Sequence, residues 1–230
     1  MYFSLLPRLS QRSSFTYASL RVFRNVTAGF ILLISPAFAE TTVLALGDSL
    51  TAGYGLPSDQ GFVPQLQAWL AAKGADVKII NAGVSGDTTA GGLSRTDWSL
   101  TPDVQAVIVN LGGNDMLRGI DPATSRANLD AILAKVAARG VPILLVSLRA
   151  PGNYGEAFKA DFDAMYPDLA AKYGAVLAEN YFFPVINQQT RLLDPAYMQA
   201  DGIHPNAKGV AKILDTLGPK VQELLAKVAS

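Results

Sequence analysis

Five residues able to do acyl-transfer chemistry fall in four short polar blocks of this chain. In the first, Leu44-Ala45-Leu46-Gly47-Asp48-Ser49-Leu50-Thr51, a short apolar run ends in a small polar turn with Ser49 at its tip. A serine hydroxyl is a poor nucleophile at neutral pH and needs a base to take its proton. Imidazole suits that task, and the chain contains one histidine, His204. Asp201 stands three residues before it, close enough to hydrogen-bond the ring and fix its tautomer. Acyl transfer also places negative charge on the former carbonyl oxygen, where preorganised donors must wait for it. The backbone N–H groups of Ser49 and Gly86 and the side-chain amide of Asn114 are the candidates. Gly86 lets its N–H approach an oxyanion without side-chain obstruction.

Each of these residues also has an ordinary structural role open to it. A serine after a strand is common turn chemistry. Gly86 and Gly112-Gly113 can be tight turns, Asn114 can cap a helix, and Asp201 can cap the last helix. Asp48 and Asp115 suit loop-holding hydrogen bonds better than chemistry. It is the combination that points to a nucleophile–base pair, Ser49 and His204.

That pair meets only if the intervening elements bring it together. Thr42 to Leu46 reads as a buried strand, and Gly53, Gly55 and Pro57 mark a loop after it. Apolar residues at Phe62, Val63, Leu66, Trp69 and Leu70 have helical spacing, with Gly74 at the C-cap position. Further strands are expected at Val77–Ile80, Ala106–Leu111, Val141–Leu148 and Ala175–Leu177. Helices are expected near Ala90–Leu100, over Pro122–Ala138 behind the Asp121 cap, up to Tyr173, and over Ala207–Val228. The stretch from Glu179 to Gln199 reads as irregular, broken by Pro184 and Pro195. Alternating strands and helices predict an α/β fold with a five-stranded, mostly parallel sheet covered on both faces. Ligand sites in such sheets lie at the carboxyl ends of the strands. The blocks at Ser49, Gly86 and Asn114 each follow a predicted strand, and the helix after His204 can bring it to the same edge.

Half of the 230 residues are hydrophobic and 17% are charged, as in a core-forming globular chain. Nineteen basic and nineteen acidic side chains balance, which leaves no basic excess for a nucleic-acid partner. Residues 1–39 stand apart. They hold Arg8, Arg12, Arg21 and Arg24 and no acid, then the apolar run Val26–Ile34, then Ser35-Pro36-Ala37-Phe38-Ala39. A positive flank, a short apolar core and an A-x-A end are the pattern of a secretory signal peptide cleaved after Ala39. The apolar run is too short to span a bilayer. The expectation is therefore a signal over 1–39, a single domain over 40–230, a periplasmic or secreted location and no stable membrane anchor. There is no cysteine, so a thiol nucleophile and a cysteine-ligated metal are excluded.

Gly47-Asp48-Ser49-Leu50, the Gly86 loop, Gly112-Gly113-Asn114-Asp115 and Asp201-Gly202-Ile203-His204-Pro205 resemble the four blocks of the GDSL, or SGNH, hydrolases, in family order. Asn81-Ala82-Gly83-Val84-Ser85-Gly86-Asp87-Thr88 and Pro151-Gly152-Asn153-Tyr154-Gly155 are similar to loops of its bacterial periplasmic thioesterase I/protease I/lysophospholipase and arylesterase subgroup. The resemblance implies a flavodoxin-like three-layer α/β/α sandwich and no metal or organic cofactor. It implies Ser49 as nucleophile, His204 as base oriented by Asp201, and Gly86 and Asn114 as oxyanion donors. The expected substrate is a small-molecule ester, an acyl thioester or a lysophospholipid; nothing sets the oligomeric state. Tyr154, Phe182, Phe183, Tyr197 and Met198 are candidates to line an acyl or aryl pocket, or else belong to the core. The alternatives are a carbohydrate O-deacetylase on the same scaffold and a non-enzymatic acyl- or lipid-binding module. The G-x-S-x-G elbow, the Walker A loop and the H-E-x-x-H zinc motif are absent.

Overall fold

The structure, a computed structural model, describes residues 40–228. The signal peptide expected over 1–39 lies outside them. Five strands form one sheet: β1 (Thr41–Gly47), β2 (Val77–Gly83), β3 (Ala106–Asn110), β4 (Ile143–Val146) and β5 (Val176–Ala178). Every pairing is parallel, and the spatial order is β2-β1-β3-β4-β5. The interior strands β3 and β4 are buried throughout, as a sheet covered on both faces requires. At the edge, β2 turns Lys78 to solvent between buried Val77 and Ile79, a charge that discourages pairing with another chain.

The principal helices are α2 (Phe62–Ala71), α3 (Thr89–Ser99), α5 (Pro122–Ala138), α6 (Glu156–Tyr173) and α7 (Ala207–Ala226). Helices α2 and α7 pack together over one face of the sheet, and α3, α5 and α6 over the other. This is the expected three-layer sandwich, with the flavodoxin-like strand order. Asp121 caps α5 by accepting from Ala123 N–H at 2.9 Å, with Pro122 in the first turn. Asn206 caps α7, accepting from Gly209 N–H at 3.0 Å. The structure thus corrects the option that Asp201 caps the last helix.

Two further differences from expectation sit at strand ends. The apolar run Val141–Leu148 pairs only over Ile143–Val146. Past it, Ser147 N–H still donates to Ala178 C=O at 2.9 Å, and the Ser147 hydroxyl takes the N–H of Asn180 at 2.8 Å as the partner strand ends. After β1 and β3, where loops were expected, there are two short helices, α1 (Ser49–Ala52) and α4 (Gly113–Leu117). Asp48 caps α1 by accepting from Leu50 N–H at 3.0 Å. Gly112 holds the cap position of α4, so Asn114 lies inside that helix rather than capping it.

Helix α1 seats directly on the ends of β1 and β2. Gly47 and Gly83 are register partners, and Val84 N–H donates to Gly47 C=O at 3.0 Å. A Cβ on Gly83 would overlap the backbone nitrogen of Ala52 and lie 2.8 Å from the carbonyl carbon of Thr51. The helix that carries Ser49 can reach its place only because that side chain is missing. Gly83→Ala should therefore push α1 outward and cost about 1–3 kcal/mol in stability. Urea unfolding would measure that loss, and ester hydrolysis should fall further than stability does.

Candidate active site

Chain order in the sheet reverses at β1, with β2 on one side and β3 on the other. Such a switch point leaves a crevice at the carboxyl ends of the two adjoining strands. Ser49 stands at the end of β1, and Gly113 and Asn114 stand just past the end of β3. From the other side, the segment between Pro195 and Asn206 folds back on itself. Gln199 N–H donates to His204 C=O at 2.8 Å, and Asn206 N–H to Tyr197 C=O at 2.9 Å. That pairing carries His204 to the same crevice.

Ser49 Oγ lies 2.8 Å from His204 Nε2, and His204 Nδ1 lies 2.6 Å from Asp201 Oδ2. Asp201 Oδ1 also accepts the backbone N–H groups of His204 at 3.0 Å and Ile203 at 2.9 Å. The bond to His204, helped by these N–H groups, pulls the Asp201 carboxyl down to about 2. An ionised carboxylate only accepts, so Nδ1 carries the ring proton. The neutral ring then offers its Nε2 lone pair to the Ser49 hydroxyl. The Tyr54 ring packs against the imidazole, 4.8 Å between centroids and tilted 42°, which helps fix the plane of the base. A hydroxyl so placed can lose its proton as it attacks a carbonyl carbon.

Gly86 and Asn114 face the same cavity as Ser49 and His204. Gly86 adopts φ of +84°, a backbone conformation that side-chain-bearing residues rarely take. Its carbonyl accepts from Arg118 Nη2 at 2.8 Å, which ties this loop to the end of α4. Asp115, beside Asn114, is buried and accepts from Thr89 N–H at 2.8 Å, Thr89 Oγ1 at 2.6 Å and Ser125 Oγ at 3.1 Å. The block after β3 is thereby locked to the start of α3 and to α5. No cluster of three or more metal-ligating side chains occurs among the described residues.

The cavity encloses about 830 Å³, and most of its wall is apolar. Of the five aromatic and methionine candidates, only Phe182 lines it. Tyr154 instead stacks on Phe158 at 5.0 Å, and Phe183 borders a smaller cavity beside α7. Tyr197 lies under Lys212 Nζ at 4.4 Å, and Met198 is buried in the core. The wall comes largely from Leu50, Leu117, Leu148, Ile186, Leu192 and Leu193. Ile186 and Leu193 close a small antiparallel hairpin, in which Asn187 N–H donates to Leu192 C=O at 2.8 Å. Within it Arg191 holds φ of +62° and also faces the cavity. No periodicity marks this irregular segment, so its wall residues carry no signal in the sequence. Leu50 and Ile203, inside the recognised blocks, were the ones open to detection.

Residues 45–212 match the GDSL-like Lipase/Acylhydrolase family. The chain is 37% identical over 196 residues to Esterase TesA of Pseudomonas aeruginosa, covering 85% of this chain and 94% of that protein. It is 36% identical over 196 residues to Thioesterase 1/protease 1/lysophospholipase L1 of Escherichia coli K12, covering 85% and 90%. The crystal structure of AlinE4, an SGNH-hydrolase family esterase, superposes with a TM-score of 0.66 at 42% identity, over 81% of this chain and 97% of that one.

One ionisable group at the site stands against its surroundings. Asp48 is only 2% exposed, and burial raises its carboxyl to about 6, although Leu50 N–H and the nearby His204 favour the charged form. Asn114 Nδ2 lies 3.5 Å from its Oδ2. Between its ordinary value and about 6, the folded protein keeps a proton that the unfolded chain releases. Asp48 therefore lowers stability as pH rises from about 4 to about 6, by at most about 3 kcal/mol. Asp48→Asn should remove that slope, which urea unfolding of both proteins across this range would read as a difference.

Proposed function

Because the chain belongs to the GDSL-like lipase/acylhydrolase family, it is an enzyme that hydrolyses ester bonds, and we propose that Ser49, His204 and Asp201 carry the reaction. The observation that supports this most is the unbroken run of contacts from Ser49 Oγ through His204 to Asp201, at 2.8 and 2.6 Å, on the wall of the cavity.

Ser49 Oγ attacks the carbonyl carbon while His204 Nε2 takes the hydroxyl proton. The carbonyl π pair moves onto oxygen, where the N–H groups of Ser49 and Gly86 and the amide of Asn114 receive it. Asp201 stabilises the imidazolium. When the tetrahedral intermediate collapses, the bond to the leaving oxygen or sulfur breaks and His204 donates its proton to that atom. Water then attacks the acyl-enzyme, losing a proton to His204, and the acid departs as Ser49 recovers its hydrogen.

The substrates proposed are carboxylic esters with apolar acyl or aryl groups, together with acyl thioesters and lysophospholipids. The large apolar cavity supports this class, and one relative's name joins thioesterase and lysophospholipase. We also propose that residues 1–39 are a cleaved signal and that the enzyme works in the periplasm or outside the cell. No described helix is long and apolar enough to cross a membrane.

Ser49→Ala should cut p-nitrophenyl ester hydrolysis by at least about a thousandfold while circular dichroism stays unchanged. Asp201→Asn should lose a comparable factor by leaving the ring in the wrong tautomer. Across a series of p-nitrophenyl esters, hexanoate should exceed acetate. A strong preference for acetate would overturn the substrate class in favour of a sugar O-deacetylase.

A further inference from the structure

We infer that Arg95 is a positioning residue that sets the spacing between the nucleophile and the oxyanion donors. Its guanidinium makes three bonds to three separate segments. Nε donates to Asp87 Oδ2 at 2.6 Å, Nη1 to Ala82 C=O at 2.7 Å, and Nη2 to Gly47 C=O at 2.8 Å. Gly47 closes β1 two residues before Ser49. Ala82 is the penultimate residue of β2. Asp87 directly follows Gly86. One planar group therefore holds the strand that presents the nucleophile, the strand beside it and the loop that presents an oxyanion donor.

The site of this clamp is largely withdrawn from water, with the Arg95 and Asp87 side chains 16% and 17% exposed. Arg95 does not line the cavity, so it acts through the residues it holds and not on substrate. Its own helix is fixed at the opposite end: Thr88 caps α3 by accepting from Gly91 N–H at 3.3 Å, and Thr89 is held by Asp115. Because Asp115 adjoins Asn114, α3 joins all three blocks that supply oxyanion donors. Only arginine meets the geometry. Its fixed fork spreads donors to three acceptors at once, whereas lysine presents a compact charge at one point.

The proposal rests on the assignment of Ser49 and Gly86 made above. Its test uses Arg95→Lys, Arg95→Met and Asp87→Asn, with Ser49→Ala as control. A fluorophosphonate label counts competent sites in each preparation, and rates are expressed per labelled site. Oxyanion donors must lie close to their target, and displacing one by about 1 Å can cost about a hundredfold. Arg95→Lys should therefore lower kcat for p-nitrophenyl butyrate about ten- to a hundredfold, with KM changed less than about twofold. Inhibition by n-butylboronic acid, whose adduct with Ser49 is tetrahedral, should weaken by the same factor. Asp87→Asn should show a smaller loss of the same kind.

A merely structural Arg95 would reduce the labelled fraction and leave kcat per site and boronate affinity unchanged, which would overturn the proposal. If Arg95→Met does not fold, Arg95→Lys and Asp87→Asn still decide. If Ser49→Ala retains hydrolysis, the nucleophile assignment fails instead. Inactive Ser49→Ala beside unchanged Arg95→Lys refutes this inference alone.

Discussion

A parallel sheet whose chain order reverses at β1 cannot close over the end of that strand. The connections that leave β1 and β3 depart to opposite faces, and the gap between them is where a ligand fits. Everything at the site follows from that constraint. The apolar run Val43–Leu46 is fully buried and cannot shift register without exposing itself. The polar turn that follows is therefore delivered to one place. Ser49 is held by α1, α1 by its seat on Gly47 and Gly83, and that seat by the pairing of β1 with β2.

Two carboxylates near the serine show how environment separates chemically identical groups. Asp201, partly exposed and supplied with three donors, is held ionised at low pH. Asp48, buried one residue from Ser49, is pushed toward the neutral form. The first is suited to stabilising an imidazolium. The second caps α1 and borders the amide of Asn114, at a cost in stability when ionised.

Much of this was legible in the amino-acid sequence. The strands were readable because their apolar runs end abruptly in glycine-bearing polar turns, and the fold brings Ser49, Gly86, Asn114, Asp201 and His204 from the four polar blocks to one cavity. The boundaries were less so. Val141–Leu148 is apolar nearly throughout, yet the strand stops at Val146, where its partner β5 ends at Ala178 and the chain beyond turns through Asn180 at φ of +78°. Nor could sequence separate aromatic residues of the cavity from those of the core. Phe182 and Phe183 are neighbours, yet only Phe182 lines the cavity shared with Ser49. Arg95 also gave no local signal, since its three acceptors come from the ends of β1 and β2 and from the loop at Asp87, which only the fold brings together.

The hairpin from Ile186 to Leu193 has a different standing from the rest. It is bridged to itself, contributes no strand to the sheet, and walls the cavity away from the serine. Ser49 and His204 thus belong to other segments than Ile186, Leu192 and Leu193, which supply this part of the apolar wall. Evolution can lengthen, shorten or reshape that hairpin and leave the hydrolytic centre as it stands. One scaffold can in this way serve many diets.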